Sequence, residues 1–472
     1  MSFIPSRHFL VDLVLAVVIA FVMLWLVPKI LPISDVTSHL TAKLQAPVIG
    51  GFYPINHRDE ITVLLIDDAT LLDVRQGWPV TYGTHARWLD NIGSVYKPRA
   101  IFIDITFFQA RKDDSLTRLI TSLCEFRERG VPVYIAALED PLTGQLRVRP
   151  ELMPNADGKG CFKLVSVNYE PHKVDHLVWL YPLHGNEAGS RSAALALAED
   201  VAALNVPHHT EPMALTWGVN NLGLPQFGEW CRKAGGGIAE MVPPGLKALW
   251  MGDEVLKPIC PYSRVLAMSD LKAQSDADEQ RLHQMLDGRY LMIGASINGA
   301  NDLINSPVHG TIPGVFMHAM ALDNLLTYNG QYKRALEWDV PPPIPLFVLG
   351  VLTVVIAQTL HVGLKSLRNF SEHRWKAAIR RILRGRPALR KHNIMPFLAF
   401  CLMIASKGLS IFASALVITL VIVVSQRLFN VGILPIVDLA AMALVAEWLG
   451  WTPRILRFIK KYSPLRVFRR EQ

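Results

Sequence analysis

Ile61-Thr62-Val63-Leu64-Leu65-Ile66-Asp67-Asp68 is the stretch of sequence that decides the fold. An uncharged run rich in β-branched residues ends abruptly at two aspartates. A strand whose two faces are both buried in a parallel sheet has this form, because neither face carries alternating polar residues. The stretch therefore predicts an internal strand of an α/β domain.

Strand and helix patterns alternate along the chain beyond this strand. Further buried strands are predicted at Ala100–Phe107, Val131–Ala137 and Arg289–Gly294. Helical spacing of apolar residues predicts helices at Thr84–Val95, after Asp113-Asp114, at Glu279–Leu286 and from Gly314 through Leu326. This alternation predicts a mostly parallel sheet flanked by helices, with right-handed crossovers.

Residues 139–277 interrupt the alternation. Cys161–Val167 and His176–Tyr181 are predicted to form a hairpin-like pair of strands, Ser192–Ala203 a helix, and Gly235-Gly236-Gly237 a flexible turn. We expect this part to be a divergent insertion that decorates the sheet.

Apolar stretches outside this domain predict an all-α membrane region. The chain has 51% hydrophobic and 19% charged residues, whereas a soluble domain has about 25% charged residues. Phe9–Val27 and Ile344–Leu364 each approach the ~20 residues that a membrane helix needs. Met395–Trp451 is long enough for two helices and is broken at Ser425–Asn430. We therefore expect four transmembrane helices, one before the domain and three after it.

The predicted organisation follows from these boundaries. No small-residue cleavage site follows the first apolar stretch, so we expect it to remain as an anchor. Along the chain we expect an N-terminal anchor helix (1–32), a periplasmic domain (33–340), a second membrane helix (341–364), a basic cytoplasmic loop (365–394), a helical hairpin (395–451) and a basic cytoplasmic tail (452–472).

Basic residues predict the orientation in the membrane. Residues 365–394 and 452–472 are rich in Lys and Arg, and short loops of this kind stay in the cytoplasm. Both termini are then cytoplasmic, and the large domain lies in the periplasm of a bacterial inner membrane. The net charge of +8 follows from this orientation and does not indicate nucleic-acid binding.

Two groups of charged residues are expected in or on the membrane. Trp375–Arg384 predicts a basic amphipathic helix, which suits an anionic inner leaflet or, alternatively, a docking partner. Its lipid-facing charges are Lys376, Arg380, Arg381 and Arg384. Asp12, Lys407 and Glu447 lie within predicted spans, where ionisable residues usually pair. The alternative is that Lys407 extends to the inner interface.

Four cysteines fall in the predicted periplasmic domain. Cys124, Cys161, Cys231 and Cys260 allow three pairings, among which sequence cannot choose. Their spacing matches no zinc ribbon, so disulfides or buried thiols are the expected states.

Three segments carry a resemblance to a known family. They are Val63–Asp68 with Gly77-Trp78-Pro79 and His85–Leu89, then Ile101–Phe107, then Tyr290–Ser296 with Asn301-Asp302, Ser306-Pro307, Pro313-Gly314-Val315, His318-Ala319 and Leu322–Leu326. These segments, and the predicted order of spans and domain, resemble the second type of CHASE domain, an extracellular sensory module of bacterial receptors.

The resemblance implies a sensor, with two departures from the family's pattern. The usual Trp-Pro-x-Pro-Arg is Trp78-Pro79-Val80-Thr81-Tyr82 here, and the usual Phe-Asp is Ile103-Asp104. Family members typically carry a kinase or cyclase after the last span. No such motif fits the residues after Trp451, so we expect no enzyme activity and no cofactor.

Polar residues at the predicted strand ends are the candidate ligand site. Because ligands bind at the carboxyl ends of strands in α/β sheets, we select Asp67, Asp68, Asp104, Ser296 and Asp302. Several carboxylates there can hold a divalent cation or cationic ligand groups. The alternative is that they cap helices or tie loops. The surroundings of Ser296 lack a Gly-x-Ser-x-Gly motif, and His318 is expected to be a core histidine.

The sequence therefore favours an inner-membrane, receptor-like protein with a periplasmic sensor that signals through, or docks onto, a separate membrane or cytoplasmic protein. The alternative is a structural or accessory subunit of a multi-protein envelope assembly. Anionic lipids are expected partners, nucleic acids are not, and homo-oligomerisation stays open.

Overall fold

The structure, a computed structural model, describes residues 43–334 except residues 44, 110, 141, 156–159, 174–175, 186–189, 210, 220–230, 235–251 and 300–301. All four predicted membrane helices, the basic loop and the tail lie outside these residues. Within the part of the chain that is described, no helix is both long enough and apolar enough to cross a membrane.

Strands and helices alternate through the described residues, as predicted. The strands are β1 (Ile61–Asp67), β2 (Ala100–Ile103), β3 (Val133–Glu139), β4 (Leu146–Arg147), β5 (Lys163–Ser166), β6 (Leu180–Tyr181), β7 (Met213–Ala214), β8 (Arg264–Ala267), β9 (Tyr290–Ser296), β10 (Leu303–Ser306) and β11 (Gly310–Pro313). The helices bounded on both sides are α1 (Asp68–Val74), α2 (Tyr82–Val95), α3 (Leu116–Glu128), α4 (Ala193–Asp200), α5 (Asp276–Leu286) and α6 (Val315–Thr327). Residues 45–51 form one further helical segment.

The main sheet is mostly parallel. Among the described residues it has seven strands in the order β4-β3-β2-β9-β1-β8, with β5 also beside β3. Each pair is parallel except β3 with β4. The registers pair Asp67 with Ser296, and Ile103 with Ile293. The carboxyl ends of β1, β2 and β9 therefore lie side by side at one edge.

The predicted hairpin-like pair of strands is wrong. β5 pairs in parallel with β3, and β6 pairs antiparallel with β7. The residues between β5 and β6 are too many for the usual two- to five-residue hairpin loop. Residues 139–277 also supply β8, a short edge strand that we did not predict. Part of the expected insertion therefore belongs to the sheet itself.

Both faces of β1 are buried, as its sequence predicts. Val63 and Leu65 pack in the core under α4 and α6, while Leu64 and Ile66 pack in a second core under α2, α3 and α5. The alternate side chains of one uncharged strand thus enter two different cores, which is why the strand carries no polar face.

Two disulfides cross-link the domain. Cys124 in α3 is bonded to Cys161, just before β5, and Cys231 is bonded to Cys260. This is one of the three pairings that the sequence allows, and it ties two segments of residues 139–277 into the fold.

Gly294 sets the distance between β9 and α6. A Cβ built on Gly294 would lie 2.5 Å from Cβ of Val315 in the first turn of α6. We expect Gly294→Ala to lower the free energy of unfolding by about 1–3 kcal/mol, because overpacking a buried contact strains its neighbours. The measurement is urea denaturation of the full-length protein in detergent.

Gly77→Ala is the matched control for this substitution. A Cβ at Gly77 would have no neighbour within 4 Å, so its effect should stay within about 0.5 kcal/mol. Equal effects of the two substitutions would show that the close approach of α6 to β9 is not the cause.

Candidate functional site

The candidate ligand residues lie where β1, β2 and β9 end, beside the first turn of α6. Asp67 ends β1, Ser296 ends β9, Asp104 follows β2, and Asp302 lies just before β10. The structure thus brings the predicted residues to one edge of the sheet, but it gives them different partners.

Asp67 and Asp68 are held by partners within the protein. The Oδ1 atom of Asp67 accepts hydrogen bonds from the backbone N–H of Thr70 at 2.8 Å and from its hydroxyl at 2.6 Å, which caps α1. The Oδ2 atom of Asp68 accepts from Nδ2 of Asn298 at 2.6 Å. Both carboxylates thus accept hydrogen bonds from neighbouring residues at this edge of the sheet. Ser296, half-buried, is the register partner of Asp67.

Asp104 differs from Asp67 and Asp68 because its carboxyl group is buried and its Oδ2 atom has no hydrogen-bond donor among the described residues. Its side chain is only 8% exposed, and its Oδ2 atom accepts no hydrogen bond from any described residue. Its backbone N–H donates to the carbonyl of Ile293 at 2.7 Å, which fixes the residue at the end of β2. A buried carboxylate in this state is costly unless a proton or a ligand neutralises it.

Asp302 converges with Asp104 on the start of α6. A Cβ built on Gly314 would lie 2.7 Å from Oδ1 of Asp302 and 3.9 Å from Oδ2 of Asp104. The two carboxyl groups therefore face the same spot, which the missing side chain of Gly314 leaves open. The backbone N–H of Gly314 donates to the carbonyl of Asp302 at 3.0 Å, which joins the loop to the helix.

Burial makes both carboxyl groups hold protons more strongly than usual. It raises the pKa of Asp104 well above the ordinary value, and the charge of Asp302 raises this pKa further. Burial also raises the pKa of Asp302 to about 6. Because two nearby buried carboxyl groups do not both ionise readily, the pair retains protons at a pH where an exposed aspartate has lost its own.

His318 forms one wall of this site. It is buried in α6, as predicted, and burial lowers its pKa to about 3, so the ring is neutral. The Tyr181 hydroxyl accepts from the backbone N–H of Ala194 at 3.3 Å and lies 2.8 Å from Nδ1 of His318. We therefore assign the Tyr181 hydroxyl as the donor and Nδ1 of His318 as the acceptor. The ring hydrogen of His318 is then on Nε2, which lies 3.8 Å from Oδ1 of Asp104.

Tyr169 completes the surroundings of the pair. It is half-buried, and burial together with the charges of Asp302 and Asp104 raises the pKa of its hydroxyl. Sequence reasoning missed Tyr169 and Tyr181, which lie in the part of the chain without recognisable motifs. Gly314 and His318 do fall within the motifs that carry the family resemblance, but the sequence does not show that they lie beside Asp104 and Asp302.

A metal centre of the usual kind is not visible in the described ranges. They contain no group of three or more His, Cys, Asp or Glu side chains that could hold a metal ion. The site therefore offers two carboxyl groups, a neutral imidazole and a phenol.

A buried polar network lies at the opposite end of α6. The Tyr53 hydroxyl donates to Oδ1 of Asp323 at 2.6 Å. The Nδ2 atom of Asn324 donates to the carbonyls of Thr216 and Met320 at 3.0 and 2.8 Å, and it lies 3.1 Å from the Tyr53 hydroxyl. Its Oδ1 atom accepts from the backbone N–H of Thr216 at 2.9 Å.

This network joins both chain ends of the domain. Tyr53 follows the helical segment at 45–51, and α6 leads to the last described residues. Both Asp323 and Asn324 are 1% exposed, and burial raises the pKa of Asp323 to about 6. One helix thus contacts the carboxyl pair with its first turn and the entering chain with its last.

The remaining candidate residues lie outside the described residues. These are the expected membrane cluster of Asp12, Lys407 and Glu447 and the expected lipid-facing charges Lys376, Arg380, Arg381 and Arg384. Their pairing and their lipid contacts stay predictions.

Comparison with known proteins identifies one family. A family model described as the CHASE2 domain matches residues 15–358, which is more than half of the chain. No curated protein and no solved structure matches the chain significantly.

Proposed function

Since the chain belongs to the CHASE2 domain family, a family of sensory domains, we propose that it is a membrane receptor whose α/β domain binds a small ligand beside α6. The observation that carries this proposal is the buried Asp104 carboxyl group, which faces Asp302 across the open position at Gly314. A buried, unpaired acidic group destabilises a fold, so its presence at a ligand-binding edge suits a site that is completed by a ligand.

The proposed signal passes along α6. This helix has 13 residues and is therefore about 20 Å long. A ligand that draws Asp104 and Asp302 together acts on the first turn, at Gly314. The last turn holds Tyr53 through Asp323 and Asn324, so a small shift of the helix moves the entering and leaving chain together. The ligand must bind one of the two arrangements more tightly to change their populations.

The proposed location is the bacterial inner membrane, with four membrane helices and the domain in the periplasm. The apolar stretches and basic loops of the sequence support this location. The two disulfides support an oxidising compartment for the domain. In this proposal the chain has no enzyme activity of its own, and a separate membrane or cytoplasmic protein receives the signal.

The orientation predicts the outcome of reporter fusions. An enzyme that is active only in the periplasm should be active when fused after Gly158 and inactive when fused after Arg384 or Gln472. A protease-protection assay of the same fusions is the control for expression. Activity at either of the last two positions would contradict both cytoplasmic ends.

Ligand binding to the full-length protein tests the sensor proposal. We would measure thermal unfolding in detergent against a panel of periplasmic metabolites, and repeat it with Gly314→Ala. The backbone of Gly314 is already helical, with φ −57° and ψ −33°, so alanine fits the backbone while its Cβ displaces the Asp302 carboxylate.

The outcomes separate a sensor from a scaffold. A ligand that raises Tm in the wild type and in Gly77→Ala, but not in Gly314→Ala, supports the sensor. The absence of any shift, together with co-purification of a stable stoichiometric complex, would instead favour an accessory subunit of an envelope assembly.

A further inference from the structure

We infer that the Asp104–Asp302 pair binds the primary ammonium group of an organic cation, which takes the place of a proton held by the two carboxyl groups. This inference rests on the proposed function, because it names the ligand class of the same site. The unpartnered Oδ2 atom of Asp104, buried and directed at the open position beside Gly314, points to a group that neutralises charge.

The number and type of ligand atoms favour an ammonium group over a metal ion. A divalent cation such as Ca²⁺ takes six to eight oxygen ligands, and no third acidic residue joins the pair among the residues described. An ammonium group carries three N–H donors, which suit the two carboxylates and the Tyr169 hydroxyl. Charge-assisted hydrogen bonds of this kind are about twice as strong as neutral ones.

No described cation already neutralises the pair. The groups that face Asp104 are Asp302 from the loop before β10, His318 from α6, and the phenols of Tyr169 and Tyr181. Burial keeps His318 neutral, and neither phenol is positively charged at physiological pH. Binding of a cation therefore requires release of a proton, and affinity must rise with pH.

The test is calorimetric titration of the full-length protein in detergent with 1,4-diaminobutane at pH 5, 6, 7 and 8. We expect affinity to increase by up to about tenfold per pH unit below the pKa of the pair, and to level off above it, because one proton is exchanged for one cation. Below the pKa of the pair, titrations in two buffers of different ionisation enthalpy should show release of about one proton, and above it the release should disappear.

Two comparisons make the result specific. Tetramethylammonium has the charge but no N–H donor, so it should bind at least tenfold more weakly. Asp104→Asn and Asp302→Asn should each weaken binding at pH 8 by at least tenfold. The exposed Asp276→Asn, which removes the same charge from the first turn of α5, should leave it unchanged. Mg²⁺ and Ca²⁺ are titrated in parallel.

The contradicting outcomes are distinct. Affinity that does not change with pH, or that survives in both variants, overturns the ammonium inference. Tighter binding of Mg²⁺ or Ca²⁺ than of the diamine overturns it in favour of a metal ion. If neutral or anionic metabolites shift Tm while no amine does, the inference fails and the sensor proposal stands. If nothing binds, both fail.

Discussion

Asn324→Ala is expected to lower the free energy of unfolding by about 3–5 kcal/mol, the largest loss that we expect from a single substitution in this domain. Asn324 is 1% exposed, and its amide pairs with both the backbone N–H and the carbonyl of Thr216. Alanine removes these partners and leaves buried polar groups behind. Each such group costs about 1–3 kcal/mol.

Urea denaturation of the full-length protein in detergent, followed by tryptophan fluorescence, measures this loss. Asn91→Ala is the matched control, because Asn91 is also helical but lies on the exposed face of α2. Its effect should stay within about 0.5 kcal/mol. A loss below about 1 kcal/mol for Asn324→Ala would show that the network does not hold Tyr53 and α6 together.

Asn324→Ala also tests whether the proposed signal passes along α6. A ligand can still bind to Asp104 and Asp302 when the network at the other end of α6 is broken. We therefore expect Asn324→Ala to keep the ligand-dependent shift in Tm while losing the response of the partner protein. Loss of binding as well would mean that the network supports the site itself and not its output.

The sheet was predictable where strands are buried on both faces. Ile61–Ile66 has an uncharged sequence because Leu64 and Leu65 enter different cores, and that requirement is visible without a structure. β5 was predicted as a strand within Cys161–Val167 but with the wrong partner, and β8 was not predicted. Their pairing depends on neighbours that are distant in sequence, and no local pattern encodes such neighbours.

The candidate site was predictable as an edge but not as a set of contacts. The aspartates at the ends of β1 and β2 were visible because they end or interrupt apolar runs, where a buried carboxylate is costly unless it is hydrogen-bonded, paired or liganded. Sequence could not show that Asp67 caps α1 while Asp104 has a buried oxygen without a partner. Asp67 finds its partner three residues along the chain, whereas the surroundings of Asp104 come from residues distant in sequence, which only tertiary packing brings together.

Asp302→Asn is expected to change how the stability of the protein depends on pH. Burial raises the pKa of Asp302 to about 6 in the folded state, whereas an aspartate in the unfolded chain titrates near 3.9. Because the pKa of Asp302 is higher in the folded state, the contribution of its protonated carboxyl group to the free energy of unfolding is fully present below about pH 4. It is lost as pH rises through about 6, because the folded state must then bury a charge.

The expected size is about 2 kcal/mol between pH 4 and pH 7, since each pH unit by which the folded-state pKa exceeds the unfolded-state pKa corresponds to about 1.4 kcal/mol and an unfolded aspartate is already about half ionised at pH 4. Asparagine does not titrate, so the variant should gain stability relative to wild type over this range. The measured quantity is the difference in free energy of unfolding between the two proteins at each pH. Carboxyl groups that do not interact with Asp302 contribute equally to both proteins and cancel in this difference. The contribution of Asp104 does not cancel, because the charge of Asp302 raises the pKa of Asp104.

Asp276→Asn is the control, because Asp276 is exposed and its removal should leave the pH dependence of stability unchanged. If Asp302→Asn and Asp276→Asn follow the same curve, the Asp302 carboxyl group is not held in a dry site. The ammonium inference then loses its basis, because a solvated carboxylate needs no cation. If Asp302→Asn alone is more stable than wild type near pH 7, the wild-type fold sustains a buried charge that a ligand can neutralise. The excess stability of the variant then bounds the free energy that neutralising this charge makes available for binding.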